Sequence, residues 1–295
     1  MTRLARCSLI LAFAGLLAAC EDGRIGVELS ADPPAAVTTQ EVDVSLDGIT
    51  LQRDDGSEDR IDFDNTVRVN LMRFDNVTFP LLDAEALDAG DYTGIRLEFH
   101  DSSSDDSDNY VIDTSHGRRP LTINASNEFT PLNLTVKKKG KTYTVQVRLD
   151  LRLSLTADSS SPSLTPVLRA ARDTKAARVS GSVKDSLIST SSCRDGRSTG
   201  VGVAIYAFKK LGDSVAPDDY DGSEPDPVAS TPVHSSGSSS WQYNIGVLPP
   251  GDYTLALTCD GDQENPSTSQ DEIGFLNDTH DVSLDEGDEQ DQDFN

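Results

Sequence analysis

The four cysteines are the side chains whose positions most narrowly limit the chemistry of this 295-residue chain. Cys7 lies in an N-terminal segment with a basic start, residues 1–6, and an apolar run from Ser8 to Leu17, which together indicate a secretory signal peptide. Cys20 ends this segment and is considered below, which leaves two cysteines, and in the oxidising compartment of an exported chain such a pair forms a disulfide by default. We therefore predict a disulfide between Cys193 and Cys259, which lack the close C-x-x-C spacing of a redox motif.

The end of this segment carries a second kind of cysteine chemistry. Leu17-Ala18-Ala19-Cys20 resembles the lipobox of bacterial lipoproteins. The resemblance implies cleavage before Cys20, attachment of a diacylglyceryl group to its sulfur, and a mature chain held to a membrane by lipid. The alternative is an ordinary signal peptide with an incidental cysteine at the junction. Glu21 stands where a leading aspartate is the usual sorting signal, so the choice between inner and outer membrane stays open.

Acidic residues dominate the composition and limit the class of partner. The chain has 50 Asp and Glu against 25 Lys and Arg, and residues 211–295 hold 20 carboxylates and no Lys or Arg. Such a surface repels phosphate backbones and anionic headgroups, so we expect no nucleic-acid partner. The excess is explained by solubility in a salty exterior or by calcium binding. The candidate calcium loops are Asp101–Asp108 and Asp218–Gly222, neither of which has EF-hand spacing.

Catalytic and zinc-binding motifs are missing from the sequence. His100, His116, His234 and His280 form no H-x-x-x-H or H-E-x-x-H arrangement and have no cysteine nearby. The many serines include no G-x-S-x-G elbow and no S-x-x-K motif. We therefore expect neither a zinc centre nor enzymatic activity.

The elements that must position these residues are predicted to be β-strands. The clearest is Thr142–Leu155, where every second residue is apolar. We expect it to form a hairpin with residues 132–136 around the lysine-rich turn 137–141. The lysines are explained by solvation and protection against edge pairing, or alternatively by a binding patch. A change of parity at Asp47-Gly48 predicts a β-bulge, and no segment after residue 20 shows helical periodicity over ten residues.

The expected fold class is all-β, with two antiparallel β-sandwich domains in tandem. We predict a signal peptide at 1–19, a lipidated flexible tether at 20–39, a first sandwich at 40–157, a linker at 158–177 and a second sandwich at 178–295. A Gly-Asp-Tyr-Thr sequence starts one strand in each sandwich, at 90–93 and at 251–254. In both, we expect the tyrosine hydroxyl to find a backbone partner.

Two family resemblances cover most of the mature chain. Val42–Leu155 resembles the domain of unknown function 4382 of bacterial lipoproteins, above all in Ala89-Gly90-Asp91-Tyr92-Thr93-Gly94-Ile95-Arg96-Leu97. The second half, with Val203-Ala204-Ile205-Tyr206-Ala207 and residues 248–254, resembles the carboxypeptidase regulatory-like domains of transthyretin-like fold. Neither family supplies a catalytic motif.

These resemblances imply a lipid-anchored binding or scaffolding protein of the bacterial cell envelope. Its partners would be the membrane, through the lipid anchor, and an unidentified protein or glycan. The alternatives are a calcium-dependent adhesion protein and an envelope hydrolase with accessory domains. The sequence leaves the ligand and the oligomeric state open.

Overall fold

The structure is a computed structural model that describes residues 23–75, 77–100, 108–137, 140–157, 161–194, 198, 200–237, 240–269 and 273–295. The strands in its first half are β1 (Gly23–Asp32), β2 (Thr39–Arg53), β3 (Glu58–Asn70), β4 (Phe79–Leu87), β5 (Gly90–Phe99), β6 (Tyr110–Asp113), β7 (Gly117–Pro120), β8 (Thr122–Ile123), β9 (Thr130–Val136), β10 (Thr142–Asp150), β11 (Leu155–Thr156), β12 (Ser163–Leu164) and β13 (Leu168–Arg172). Those in its second half are β14 (Ala177–Val183), β15 (Ala204–Lys209), β16 (Pro227–Pro232), β17 (His234–Gly237), β18 (Ser240–Leu248), β19 (Gly251–Thr258), β20 (Phe275–Leu284) and β21 (Glu289–Asp291). Among these described residues, the helical elements are α1 (Leu151–Ser154), α2 (Asp185–Ile188), α3 (Ser191–Arg194) and the 3-10 turns Leu71–Arg73 and Asp173–Lys175.

The first sandwich packs a four-stranded sheet, in the order β13-β10-β1-β4, against a sheet in the order β7-β6-β2-β5-β9 with β3 paired to β2. Apolar side chains of alternate residues on these strands fill one continuous core, which extends from Ile25 to Ala170. Because residues two apart on a strand face the same side, this alternation places one face of each sheet inside.

The second sandwich packs the sheet β17-β18-β14-β21 against the sheet β16-β15-β19-β20. Its core runs from Ala177 to Phe294. The prediction of an all-β sandwich fold is confirmed, although among the described strands three pairs are parallel rather than antiparallel: β1 with β10, β8 with β12, and β14 with β21.

The predicted tether is wrong over most of its length. Gly23–Asp32 forms β1, which lies between β10 and β4, and Ile25, Val27, Leu29 and Ala31 are each at most 1% exposed. These four residues alternate with smaller or polar ones, which is the pattern of a strand with a buried face. Only Pro33-Pro34 and their neighbours connect β1 to β2.

The predicted hairpin is also wrong, because its two strands lie in different sheets. β9 pairs with β5, whereas β10 pairs with β1 and β13. The chain therefore crosses from one sheet of the sandwich to the other between Val136 and Thr142. Alternation fixes which face of a strand is buried, but it does not select the neighbouring strand.

Two further boundaries differ from the predicted ones. The strand expected to reach Leu155 ends at Asp150, whose carboxylate accepts a hydrogen bond from the Leu153 N–H and caps the single turn α1. The predicted linker 158–177 contains β12 and β13, and β13 forms the edge of the first sandwich next to β10. The parity change at Gly48 does mark a bulge, since the pairing register shifts between Leu46 and Gly48.

Candidate functional site

Of the cysteines singled out by the sequence, the structure describes Cys193 and Cys259. Cys193 on α3 and Cys259 after β19 are joined in a disulfide with Cα atoms 5.1 Å apart, and both are buried. The bond ties the α2–α3 segment to the sheet that contains β19. Cys20 belongs to residues 1–22, outside the described part of the chain, so its lipidation stays a prediction.

The acidic loops give no metal centre among the described residues. Residues 101–107 are outside them, and the Asp218–Gly222 loop uses its carboxylates to close its own turns. Asp221 accepts from the Ser223 N–H at 2.8 Å, and Asp226 accepts from two N–H groups of the loop at 3.2 Å. Within the described ranges, no three His, Cys, Asp or Glu side chains gather where an ion could be held.

The four histidines lie apart, each beside a different aspartate. The pairs are His100 with Asp47, His116 with Asp113, His234 with Asp75 and His280 with Asp278.

In the described part of the chain, no helix is both long enough and apolar enough to cross a membrane.

A buried cluster of charges, missed by the sequence analysis, lies where the two sandwiches meet. We call it the ionic joint: Asp32, Arg148, Asp150, Arg169 and Ser230. Asp32 and Asp150 end β1 and β10 and are partners in their parallel pairing, and both are fully buried. Arg169 lies between the two carboxylates, with Nη2 2.6 Å from Asp32 and Nη1 3.2 Å from Asp150.

The remaining members neutralise and extend the ionic joint. Arg148 donates from Nε and Nη2 to Asp32 Oδ1, at 2.9 and 2.6 Å. From the second sandwich, Ser230 donates its backbone N–H to Asp150 Oδ2 at 2.6 Å and its hydroxyl to Oδ1 at 2.8 Å. Burial, followed by the charge of Asp32, raises the pKa of Asp150, while Arg169 and the hydrogen bonds from Ser230 oppose this shift.

Apolar contacts complete the junction. Leu153 of α1 is fully buried against Tyr206 and Phe208 on the outer face of β15. β15 is therefore buried on both sides, which explains its unbroken apolar sequence. Arg152 of the same turn donates to the carbonyl oxygen of Gly261, so both polar and apolar contacts fix the sandwiches to each other.

Val247 makes a separate contact between the sandwiches. It has a positive φ of 56° and lies where the pairing of β18 with β14 shifts register. A β-branched residue rarely adopts this conformation, and here it directs the side chain away from the core onto Ala171 and Ala176. The bulge thereby joins the end of β18 to the first sandwich immediately before the turn at Pro249-Pro250.

Next to this junction, an apolar cleft of about 560 Å³ opens between the sandwiches. The first sandwich lines it with Pro131, Leu168 and Ala170, and the second with Val228, Pro249 and Tyr253. Lys209 and Asp252 lie exposed at its rim. A smaller depression of about 350 Å³ shares Pro131, Ala170 and Pro249, so the two form one groove. Its size and lining are those of sites that bind ligands.

The wall of the cleft is fixed by a tyrosine that the sequence analysis noted. The Tyr253 hydroxyl donates to the Pro249 carbonyl oxygen at 2.6 Å. In the first sandwich the Tyr92 hydroxyl lies 3.0 Å from the Asp88 carbonyl oxygen and 2.8 Å from Asp59 Oδ2, so its one proton has two acceptors. Both hydroxyls reach back four residues, as expected for a tyrosine that ends a turn and starts a strand. Burial raises the pKa of Tyr253, which keeps the hydroxyl protonated as a donor.

A second cleft, of about 530 Å³, is polar and lies on the outer face of β14 and β18. Ser180, Gln242 and Asn244 line its floor, and Asp75 of the first sandwich closes one end. Asp293 accepts from the backbone N–H and the hydroxyl of Ser182, both at 2.7 Å, and the backbone bond is the main reason that its pKa is lowered.

Comparison with protein families matches one segment of the chain to a known family. Residues 22–166 match the family described as Domain of unknown function (DUF4382), in agreement with the resemblance found from the sequence. The match begins one residue before β1 and ends after β12, and so includes all but the first two residues of the predicted tether, 20–39. No curated protein matches the chain.

Thirteen solved chains match the structure. They include a leucine-rich repeat protein from Bacteroides thetaiotaomicron (12% identity, 91% of this chain and 25% of that chain, TM-score 0.22). The Bacillus anthracis TIE protein (10%, 92% and 34%, 0.19) and the fimbrial anchor protein of Porphyromonas gingivalis (13%, 86% and 82%, 0.19) also match. The chain thus spans a quarter to a third of the first two, and TM-scores near 0.2 are too low to indicate a shared fold or function.

Proposed function

We propose that this protein is a lipid-anchored, non-catalytic binding or scaffolding protein of the bacterial cell envelope, which holds a partner protein in the apolar cleft. The observation that carries the proposal is a cleft of about 560 Å³ whose two walls come from different sandwiches and are already fixed in position. The ionic joint and the buried Leu153 contact hold those walls together. A preformed site loses less conformational entropy when it binds its ligand.

A protein segment fits this cleft better than a sugar does. The lining is dominated by proline, aliphatic and tyrosine side chains, which gain free energy by burying apolar surface. β9 and β13, the end strands of the two sheets of the first sandwich, lie beside each other and border the cleft. An extended apolar segment of a partner protein would bury its side chains against this lining.

Photo-crosslinking tests this site without disturbing the core. A benzophenone amino acid replaces Lys209 or Asp252, which are exposed at the rim, and envelopes from producing cells are irradiated. We expect one adduct of defined mass from both positions, whereas Lys184, exposed on the second sandwich away from the cleft, gives none. No adduct from the rim, or the same adducts from Lys184, would contradict the proposal.

The polar cleft favours a second candidate, the binding of a glycan. Its hydroxyl, amide and carboxylate groups are those that hydrogen-bond sugar hydroxyls. The same experiment includes Gln242, which is exposed in this cleft. A heterogeneous adduct that forms only from Gln242 and disappears after glycosidase treatment would select the glycan in place of the protein partner.

The lipid anchor is tested separately. The proposal is supported by Leu17-Ala18-Ala19-Cys20, and Cys20→Ser should release the protein from the membrane fraction. Retention of the variant on membranes after a high-salt wash is the contrary result, because an ordinary signal peptide and a peripheral contact would then suffice.

A further inference from the structure

The apolar cleft is the middle part of a longer groove. A depression of about 190 Å³ adjoins it on one side and shares Thr130 and Leu168 with it. The depression of about 350 Å³ adjoins it on the other side and shares Pro131 and Ala170. The three lie in a row, and we call them the first, central and third depressions of the long groove.

The long groove follows two strands of the first sandwich that advance in the same direction. Along β9, its lining moves from residues 128–130 in the first depression to residues 131–133 in the third. Along β13, it moves from Pro166 and Leu168 to residues 170–172. Six steps of about 3.3 Å from Pro166 to Arg172 give a length of roughly 20 Å, which is the span of about seven residues of extended chain.

The spacing of the depressions matches the repeat of an extended chain. Leu168 and Ala170, each shared by two neighbouring depressions, are two residues apart on β13, a spacing of about 7 Å. In an extended segment, the side chains that point to the same side are also two residues apart. Three successive side chains of one face, at positions i, i+2 and i+4, therefore meet the three depressions.

The charges of the lining favour an uncharged segment. Each depression contains residues of both signs: Arg96 and Glu128 in the first, a lysine and an aspartate at the rim of the central one, and Lys175 with Glu286 in the third. Lys175 and Glu286 are 2.7 Å apart and so satisfy each other. The groove has no run of one charge that would compensate a partner's charged residue for its lost hydration.

The described part of the chain does not supply such a segment itself. Its exposed large apolar side chains are Val37, Val77 and Val215, which are far apart in the sequence. No described segment therefore exposes three large apolar side chains at alternate positions, as a second copy would have to do. This favours a different protein as the occupant of the long groove.

We propose that the long groove binds an extended, uncharged segment of another envelope protein, with apolar side chains at three alternate positions. The middle side chain occupies the central depression between the sandwiches, and the other two occupy the depressions on either side. The residues between them point away from the groove. This inference rests on the proposed function and adds the length, charge and spacing of the segment that the partner supplies.

Crosslink mapping tests the order of the contacts along the segment. Benzoylphenylalanine replaces Ala125, Asp252 or Asn133, which are exposed and line the first, central and third depressions in turn. The full chain is irradiated in envelopes, and tandem mass spectrometry locates the crosslinked residues of the partner. We expect the three adducts within about seven residues of one partner protein, in the order of the depressions. Lys184, which is exposed outside the groove, should give no adduct.

The outcomes separate this inference from the proposed function. Adducts from Asp252 alone, adducts scattered along the partner's sequence, or adducts on a second copy of this chain would overturn the extended segment while the cleft remained a binding site. If neither Asp252 nor Lys209 gives an adduct, both the inference and the proposed function are wrong.

Peptide binding tests the spacing of the apolar side chains. A blocked, fluorescently labelled peptide of the seven mapped residues is titrated with the mature protein, and its anisotropy is measured. The control peptide has the same composition with its three apolar residues adjacent, so that only two of them can lie on one face. The control should bind at least about tenfold more weakly, because one apolar side chain is no longer buried. Equal affinities of the two peptides would overturn the proposed spacing.

Discussion

Replacement of Asp150 by alanine tests whether the ionic joint couples the two sandwiches. Asp150 accepts from Ser230 at 2.6 and 2.8 Å, from Arg169 at 3.2 Å and from Leu153 at 3.3 Å, all without contact with water. The variant leaves the Ser230 N–H buried without this acceptor and leaves Arg169 with Asp32 as its carboxylate partner.

The expected loss follows from these contacts. Breaking a buried ion pair costs about 3–5 kcal/mol when one partner is removed. Relief of the repulsion between Asp150 and Asp32 offsets part of this cost, so we expect the free energy of unfolding to fall by about 3 kcal/mol. Ser230→Ala is the matched control, because it removes one hydroxyl hydrogen bond and leaves the backbone bond, with an expected loss of about 1 kcal/mol.

The assay uses two signals during urea unfolding. Fluorescence of Trp241, the only tryptophan of the chain, reports on the second sandwich, and circular dichroism reports on strands of both. In the wild type the two transitions should coincide, whereas in Asp150→Ala they should separate as the sandwiches lose their coupling. Coincident transitions, together with a loss below about 0.5 kcal/mol, would refute this account of the joint.

Three further predictions concern stability. The Cys193–Cys259 bond closes a loop of 66 residues, so the free energy of unfolding in urea should fall by about 4 kcal/mol in Cys193→Ser/Cys259→Ser. Free thiols found by alkylation of the native protein without reductant would contradict the bond. Burial opposes ionisation of Asp113, but hydrogen bonds from Thr38 and from two backbone N–H groups outweigh it and lower the pKa to about 2. This lowered pKa contributes stability at neutral pH that is lost as the pH falls from about 4 to 2. Asp113→Asn should therefore lower the free energy of unfolding at neutral pH by about 2 kcal/mol and flatten its dependence on pH between about 4 and 2. An unchanged pH dependence of unfolding would refute the assignment. Calcium and magnesium at equal millimolar concentrations should raise the melting temperature of the mature protein about equally by screening its carboxylates, whereas a much larger rise with calcium alone would favour the adhesion alternative.

Local chemistry in the sequence was sufficient for the features that depend on neighbouring residues. The bulge at Gly48, the tyrosine hydroxyls that bind the turns before β5 and β19, and the all-β class all follow from spacing within a few residues. The disulfide was predicted by elimination, from the expectation that export removes Cys7 and that Cys20 is modified, and the structure contains that bond. These features need no knowledge of which strands are neighbours.

Only the tertiary structure decided strand pairing and the junction between the sandwiches. Alternation showed that β9 and β10 each bury one face, but not that they belong to different sheets. Asp32 and Arg169, 137 residues apart, looked like parts of a tether and a linker until the fold placed them 2.6 Å from each other. Buried charges are stable only beside partners of opposite charge, and those partners come from whichever strands the packing brings together. For that reason the sequence determined the strands and their buried faces, while the packing of the two sandwiches determined the joint and the cleft.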